Sequence, residues 1–137
     1  MTGHPRVDLT LASSHTDGSV FAYLVDVAPD GRTTIVTEGM LRLSHRRFVP
    51  GTSVLTTREH TRQHAEPLVP GEPARAVFDL LPVSYRFPAG HSVRLALTGA
   101  DADHFRAVTS DAPCVDWLWG DAWRSRLELP VASGQAR

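Results

Sequence analysis

The sequence contains no lysine, no asparagine and only one cysteine, Cys114. A single cysteine cannot form an internal disulfide, so the fold does not depend on such crosslinks and a cytoplasmic location is expected. All 14 basic residues are arginines scattered along the chain, and the net charge is −1. Because the arginines form no basic run, nucleic acid is not an expected partner.

Long hydrophobic runs are also absent. No apolar stretch is long enough to cross a bilayer, and residues 1–6 lack the apolar segment of a signal peptide, so we expect no membrane partner. What is present is an ordinary globular composition, with 42% hydrophobic and 21% charged residues in a chain of 137. This length fits one domain, which we expect over residues 1–132, followed by a disordered tail at 133–137.

Hydrophobic and polar residues alternate along much of the chain, which is the pattern of half-buried β-strands. The segment at residues 19–28 is apolar on both faces and is predicted to be a central strand. Gly39 marks either a bulge or a close approach of the backbone inside another predicted strand. The predicted strands are residues 7–12, 19–28, 33–46, 74–81, 91–98 and 125–131.

Two segments interrupt this pattern. Residues 47–73 are polar and rich in proline, which indicates a long crossover, and residues 101–123 show no regular pattern. Many short strands, a long crossover and no amphipathic helix together predict an all-β fold, a jelly-roll β-sandwich.

One stretch resembles a catalytic motif. Residues 90–94 read Gly-His-Ser-Val-Arg, like the start of the G-x-S-x-G turn that presents the nucleophile of many serine hydrolases. Arg94 stands where that turn needs its second glycine, and the residues that follow predict a strand rather than a helix. We therefore expect Gly90 to end a turn and Ser92 to begin a strand, and we assign no catalytic residue.

Two groups of residues carry metal-binding side chains. Asp101, Asp103 and His104 lie close together in one predicted loop, but aspartates there also cap turns. His60 and His64 have the spacing of zinc ligands on one helix face, yet the segment around them is polar and flanked by prolines. We expect solvated loops in both places, no metal site and no cofactor.

The three tryptophans, Trp117, Trp119 and Trp123, lie within seven positions of the chain. They could plug one end of the sandwich, contact another domain or subunit, or stack on a ligand, and the sequence leaves these roles open. Tyr85 and Phe87 are further aromatic candidates for an interface because they lie in a predicted loop.

From residue 3 to residue 131, the order of short motifs resembles the C-terminal domain of the Xaa-Pro dipeptidyl-peptidases and the cocaine-esterase-like (CocE/NonD) hydrolases. Each motif alone is weak, whereas their order over nearly the whole chain is specific. The motifs are Gly-His-Pro at 3–5, Asp-Gly at 17–18, Phe-Ala-Tyr-Leu-Val-Asp-Val at 21–27, Pro-Asp-Gly at 29–31, Thr-Glu-Gly-Met-Leu-Arg at 37–42, Pro-Leu-Val-Pro-Gly-Glu at 67–72, Phe-Pro-Ala-Gly-His-Ser-Val-Arg-Leu at 87–95, Gly-Ala-Asp-Ala-Asp-His-Phe at 99–105 and Ser-Arg-Leu-Glu-Leu-Pro at 125–130.

The resemblance implies a jelly-roll sandwich of the galactose-binding-like type that leans on an α/β-hydrolase domain. That hydrolase domain holds the Ser-Asp-His triad of the family, so no catalytic residue is carried over to this chain. The family domain has a further strand before the segment matching residues 3–5, and we therefore expect a sandwich that lacks its first strand. An exposed edge of this kind favours pairing with a second copy, as a homodimer.

These observations support functions of three classes. The first is a non-catalytic domain that buttresses an α/β-hydrolase domain, in trans or within a longer chain, and contributes to substrate-site shape or oligomerisation. Its interface candidates are Trp117, Trp119, Trp123, Tyr85 and Phe87. The second is a free-standing binding module, for instance for carbohydrate, that uses the tryptophan-rich loop. The third, an enzyme in its own right, needs a nucleophile, a base and an oxyanion site that the sequence does not assemble.

Overall fold

The computed structural model describes residues 1–47, 58 and 60–131. Within these residues the regular secondary structure is β-strand apart from two short 3-10 turns, at Leu43–His45 and Arg62–His64, so the all-β prediction is confirmed. The strands are β1 (Thr2–Gly3), β2 (Arg6–Ser13), β3 (Ser19–Val27), β4 (Thr33–Arg42), β5 (Ala74–Asp79), β6 (Val83–Ser84), β7 (Ser92–Thr98), β8 (Val115–Leu118) and β9 (Arg126–Glu128).

The first sheet is built around β2, which pairs antiparallel with β5 on one side and with both β8 and β9 on the other. β8 pairs with the C-terminal half of β2, where Leu11 faces Trp117. β9 pairs with the N-terminal half, where Val7 faces Leu127. Two strands share this edge because the chain leaves the sheet between them, at residues 119–125.

The second sheet has the order β4-β3-β7, with all strands antiparallel. β3 is therefore central, as its two apolar faces predicted. Leu24 pairs with Thr37 and Val25 with Ile35, so Val36 is the extra residue of a β-bulge in β4. A smaller pairing of β1 with β6 completes the strand arrangement within the described residues.

The core lies between the two sheets and is formed by residues at alternating positions of the strands. Full burial of such a side chain contributes about 1.5–3 kcal/mol, so this cluster is the main source of stability. Its buried members are Val7, Leu9, Leu11, Val20, Ala22, Leu24, Leu41, Leu43, Leu68, Ala76, Phe78 and Leu80.

Gly39 lies where β4 passes close to the end of β5. An ideal Cβ at this position would lie 2.9 Å from the carbonyl oxygen of Asp79 and 2.9 Å from Cδ2 of Leu80. Real Cβ atoms essentially never come this near to other heavy atoms. Of the two roles predicted for Gly39, the close backbone approach is the one observed, and the bulge falls at Val36 instead.

The structure corrects two predicted boundaries. β8 lies inside the segment expected to be irregular, so that prediction was wrong for residues 115–118. β4 ends at Arg42 rather than at residue 46, because the chain turns into the 3-10 segment Leu43–His45. The predicted tail at residues 133–137 lies outside the described residues.

Candidate interaction surfaces and polar clusters

The outer face of the first sheet is charged. Asp8 lies at its centre with 5% of its side chain exposed, and Arg75 donates to both carboxylate oxygens at 2.8 Å. Arg126 adds a third contact, with Nη2 3.0 Å from Oδ2 of Asp8. Next to this group, Nε of Arg6 lies 2.8 Å from Oδ1 of Asp79. The charges on this face are thus paired with one another across the strands.

These contacts decide the ionisation of Asp8. The hydrogen bonds from Arg75 lower the pKa of the Asp8 carboxyl, and the charges of Arg75, Arg126 and Arg6 act in the same direction, against the opposing effect of burial. Asp8 is therefore ionised at neutral pH. The outer face of the first sheet is a salt-bridged surface that satisfies its own charges.

The outer face of the second sheet is apolar along its central strand and carries charged side chains on both neighbouring strands, with Glu38 opposite Tyr23 and Arg94 opposite Val25. Phe21 and Val25 of β3 point away from the core, yet only 4% and 7% of their surfaces are exposed. Their partners on β4 are more open: Met40, opposite Phe21, is 43% exposed and Ile35, opposite Val25, is 61% exposed. We call the uncharged part of this surface the apolar face, and it consists of Phe21, Tyr23, Val25, Ile35, Met40 and Ala96.

Residues 99–113, which we call the covering loop, are fastened to one end of the apolar face. The ring centroids of Phe105 and Phe21 lie 5.0 Å apart. The Tyr23 hydroxyl donates to Oδ2 of Asp101 at 2.6 Å, and Nδ1 of His104 lies 3.0 Å from both oxygens of the same carboxylate. The hydrogen bond to Asp101 raises the pKa of Tyr23 to about 12.

A cavity of about 420 Å³ lies between the covering loop and the start of β3. Pockets of this size can hold a small molecule or a large side chain. Its lining includes the apolar side chains of Phe21, Phe105 and Val108, together with the charged side chains of Asp101 and Arg106. None of the tryptophans lines this cavity.

A second carboxylate cluster lies at the other end of β3. Asp26 is 5% exposed, and it accepts a hydrogen bond from the Tyr85 hydroxyl at 2.7 Å. Nδ1 of His91 lies 2.8 Å from the other carboxylate oxygen. Burial disfavours the charged form of Asp26, but the hydrogen bonds with Tyr85 and His91 outweigh it and lower the pKa of this carboxyl. Because Asp26 is then ionised, Nδ1 of His91 is the donor.

A third cluster contains the three residue types of a serine-hydrolase triad. Oγ of Ser14 lies 2.7 Å from Nδ1 of His15, and Nε2 of His15 lies 2.9 Å from Oδ2 of Asp111. In a working triad the carboxylate is buried and bonds to Nδ1, while Nε2 faces the serine. Here the ring nitrogens are exchanged, and 72% of the Asp111 side chain is exposed. Ser14 Oγ also accepts the backbone N–H of Cys114 at 3.0 Å, so this relay fastens the covering loop to the end of β2.

Ser92, the serine in the motif-like stretch, is the first residue of β7 and is exposed. Gly90 before it has a φ of +83° and ends a turn, and the strand pairs Ser92 with Val27. The prediction that Ser92 begins a strand, rather than occupying a strand-to-helix elbow, is confirmed. The imidazole of His91 next to it is bonded to Asp26.

The aromatic candidates fall into three environments. Trp117 is partly buried and packs against the core. Trp119 and Trp123 lie in the excursion between β8 and β9 and are 57% and 37% exposed. Tyr85 and Phe87 contact each other edge to face, with centroids 5.0 Å apart, beside the Asp26 cluster. The structure therefore does not bring all five together, and Trp119 is the most open of the three tryptophans.

The candidate metal ligands are also separated. Asp101 and His104 bond to each other, while His64 accepts or donates a hydrogen bond with Thr61 at 2.7 Å in a 3-10 turn. No group of three or more His, Cys, Asp or Glu side chains in the described part of the chain is placed to hold a metal ion. Among the same residues, no helix is long and apolar enough to span a bilayer.

Few features of the sequence point to the three carboxylate clusters. Asp26 was the clearest, because it occupies an inward position of an otherwise apolar strand, where a buried charge requires partners. Its partners lie 59 and 65 residues away, and Asp111 lies 96 residues from His15, separations that no local motif reveals. The members of the clusters are Asp26, Tyr85 and His91; Tyr23, Asp101 and His104; and Ser14, His15 and Asp111.

The fold and these clusters define a class of protein, a β-sandwich domain whose polar groups fasten loops. Comparison with family models agrees with this class and identifies the family. The model described as the X-Pro dipeptidyl-peptidase C-terminal non-catalytic domain matches residues 1–114. The chain belongs to this family.

Two curated relatives extend this comparison. Over 135 residues the chain is 46% identical to "Putative serine esterase Mb1866c" of Mycobacterium bovis, and equally to "Putative serine esterase MT1883" of Mycobacterium tuberculosis. The match covers 96% of this chain but 22% of each relative. The chain thus spans about a fifth of the length of the curated relatives it matches.

Solved structures confirm the sandwich. The chain is similar to a CocE/NonD family hydrolase of Staphylococcus aureus, SACOL2612, with a TM-score of 0.82 and 18% identity, over 96% of this chain and 28% of that one. A second crystal structure of the same hydrolase gives a TM-score of 0.76 at 17% identity, over 93% of this chain and 27% of that one. At this identity the likeness establishes the fold alone.

Proposed function

We propose that this non-catalytic C-terminal β-sandwich buttresses an α/β-hydrolase domain of the Xaa-Pro dipeptidyl-peptidase/CocE type. The partner domain lies in the same protein or binds in trans. The sandwich would stabilise that domain, and it would contribute to the shape of the substrate site or to oligomerisation. It acts through contact rather than chemistry.

One observation carries this proposal: the chain matches about a fifth of the mycobacterial relatives, while its only Ser-His-Asp relay within the described residues is exposed and reversed. A carboxylate open to water orients an imidazole weakly, because solvent screens the interaction. The relay also ties the Ser14 hydroxyl to the N–H of Cys114. Such an arrangement supports loop fastening and leaves the chemistry to another domain.

The test uses the Mycobacterium bovis relative with and without its matched 135-residue segment, and a fusion in which this chain replaces that segment. We expect deletion to lower the melting temperature and the ester hydrolysis of the relative, and the fusion to restore both. A deleted protein as stable and active as the intact relative would contradict the proposal. The intact relative is the control, because its melting temperature and activity are the values that a compatible fusion should reach.

The exposure of Trp119 favours one alternative, a free-standing module that binds carbohydrate. Exposed aromatic rings provide flat contact area for such ligands. This function predicts saturable quenching of tryptophan fluorescence by an oligosaccharide, lost in Trp119→Ala and kept in Trp117→Ala. The absence of quenching across a panel of oligosaccharides would remove this alternative.

Homodimerisation through an exposed edge strand is a further part of the proposal. Sedimentation of the purified chain over a range of concentrations tests it directly. A dimer that dissociates on dilution is expected if an edge strand pairs with a second copy.

A further inference from the structure

The cavity between the covering loop and the start of β3 has apolar side chains on its walls. Phe21, Phe105 and Val108 line it, and its volume is about 420 Å³. Small-molecule sites in proteins have volumes of roughly 300–1,000 Å³, with mostly apolar walls and a few polar groups. The cavity therefore has the size and the wall chemistry of a site for a small organic molecule.

The covering loop is held in place at both of its ends. Asp101, near its start, accepts a hydrogen bond from the Tyr23 hydroxyl at 2.6 Å. Directly after its last residue, the backbone N–H of Cys114 donates to Oγ of Ser14 at 3.0 Å. A loop that is tied at both ends loses little further freedom when a ligand binds, so the walls of the cavity are pre-organised.

Most polar side chains that line the cavity already bond within the protein. Both oxygens of the Asp101 carboxylate lie 3.0 Å from Nδ1 of His104, and one of them also accepts the Tyr23 hydroxyl. Oδ2 of Asp111 lies 2.9 Å from Nε2 of His15, so both carboxylates on the walls are partnered. Three lining hydroxyls bond to atoms of the covering loop; they belong to Thr98, Thr109 and Ser110.

Two polar side chains on the walls make no hydrogen bond or ion pair with the described residues. They are the hydroxyl of Ser19 and the guanidinium of Arg106. Ser19 is 8% exposed and lies on the same face of β3 as Phe21, because side chains alternate along a strand. A buried hydroxyl without a partner costs free energy, and a guanidinium matches the two oxygens of a carboxylate. Both groups can therefore serve a ligand in the cavity.

We propose that this cavity binds an organic monocarboxylate, with the carboxylate on Arg106 and the apolar body against Phe105 and Val108. The guanidinium donates two parallel N–H groups to such a ligand, a geometry that a lysine could not provide. The Ser19 hydroxyl offers one further hydrogen bond from the wall. All lining residues lie between positions 18 and 113, so the inference stands whether or not the sandwich buttresses a hydrolase domain.

The partnered groups make other ligand charges less favourable. An ammonium ligand would have to use Asp101, but His104 is already bonded to that carboxylate, and this hydrogen bond raises the pKa of His104. The resulting imidazolium would repel a second cation. A small inorganic anion would lose its hydration without gaining from the apolar walls. The apolar side chains and the single unpaired guanidinium together favour an organic acid with one negative charge.

Three probes of one shape and different charge test this inference by calorimetric titration of the purified chain. They are 4-phenylbutyrate, the neutral 4-phenylbutyramide and the cationic 4-phenylbutylamine. We expect saturable binding of phenylbutyrate that is about tenfold or more tighter than binding of the amide, since a hydrogen bond to a charged group is the stronger one. The amine should bind most weakly. Backbone amide NMR shifts caused by phenylbutyrate should concentrate in residues 98–113.

Two substitutions separate the contribution of charge from that of the apolar walls. Arg106→Gln should reduce the affinity for phenylbutyrate to about that for the amide. Arg86→Gln is the matched control, because Arg86 is also exposed but does not line the cavity. Ala107→Trp should fill the cavity and weaken binding of the acid and the amide alike. Both Arg106 and Ala107 are exposed, so thermal unfolding should show that these variants keep the fold.

Several results would overturn the inference. No saturable binding of phenylbutyrate, equal affinity for the acid and the amide, or tighter binding of the amine would each do so. Unchanged affinity in Arg106→Gln would show that the carboxylate does not bind at this guanidinium. Binding by the chain alone that is lost in an active fusion with the hydrolase part of the Mycobacterium bovis relative would show that the other domain fills the cavity; this would refute the ligand site and leave the proposed function in place.

Discussion

The ring of Phe105 lies over that of Phe21, with centroids 5.0 Å apart, so an irregular loop is packed on the outside of a sheet rather than projecting into water. The Tyr23–Asp101 hydrogen bond fixes the same loop two residues further along β3. The outer side of the second sheet thus has an apolar centre, a loop fastened to it and an adjoining cavity.

Gly39→Ala is expected to destabilise the fold by about 1–3 kcal/mol, the range for overpacking a well-packed site. The added methyl group would meet the Asp79 carbonyl oxygen at 2.9 Å, and a backbone atom in a paired strand cannot move aside easily. Gly99→Ala is the control, since its Cβ would meet Ser19 at an ordinary 3.8 Å. Urea denaturation measures both, and equal midpoints would contradict the close approach.

Asp8 makes the stability of the domain sensitive to acid. Its pKa is lowered in the folded state from an ordinary value of 3.8, so its contribution is fully present above that value and is lost as pH falls through the folded pKa. We expect Asp8→Asn to cost about 1.5–3 kcal/mol at neutral pH, as for hydrogen bonds to charged groups, and to flatten the loss of stability in acid. Asp116→Asn, at an exposed position on the same sheet, should keep the wild-type pH profile.

The two tyrosines provide a test of the carboxylate clusters. Hydrogen bonds to Asp101 and Asp26 raise the pKa values of Tyr23, to about 12, and of Tyr85, above the ordinary 10.0. The midpoints of both tyrosinate transitions should therefore lie above pH 10.0 in the folded protein. In Asp101→Asn the transition of Tyr23 should move down towards the ordinary pKa of 10.0, whereas Asp103→Asn should leave both tyrosine transitions in place. Two unshifted transitions in the wild type would show that the hydroxyls are not bonded to carboxylates.

Trp117 and Trp119 should differ in their effect on stability although they lie two residues apart. Trp117 packs against the core, so Trp117→Ala is expected to cost about 2 kcal/mol, less than for a fully buried tryptophan. Trp119 is 57% exposed, and its replacement by alanine should change the free energy of unfolding by no more than about 0.5 kcal/mol. Thermal unfolding of the two variants checks this, and a reversed order would contradict the packing of β8.

Much of the fold could be predicted because the strands follow simple alternation. β2 and β3 were found from their apolar positions, and the central place of β3 followed from its two apolar faces. β8 was missed because its four residues, Val115–Leu118, are too few to show a period, and Trp117 reaches the core only through pairing with Leu11. Such pairing is set by the tertiary fold and not by the local sequence.

The polar clusters were less predictable because their members, too, are brought together by the tertiary fold and not by the local sequence. Ser14 and His15 are adjacent, but Asp111 joins them only because the covering loop returns to the end of β2. The motif-like stretch around Ser92 was correctly taken as the start of a strand, since Arg94 and the residues after it favour extended structure. The resemblance to a hydrolase family thus assigned the class of domain, while the contacts of individual side chains depend on the three-dimensional structure.

Ester hydrolysis with the purified chain and its Ser14→Ala and Ser92→Ala variants is the sharpest test of our proposal that this sandwich acts through contact and not through chemistry. We expect no turnover above the uncatalysed rate and no labelling by a fluorophosphonate in any of the three. Neither substitution should lower the activity of the fusion with the hydrolase part. Hydrolysis by the chain alone that is lost in Ser14→Ala or in Ser92→Ala would refute the proposal.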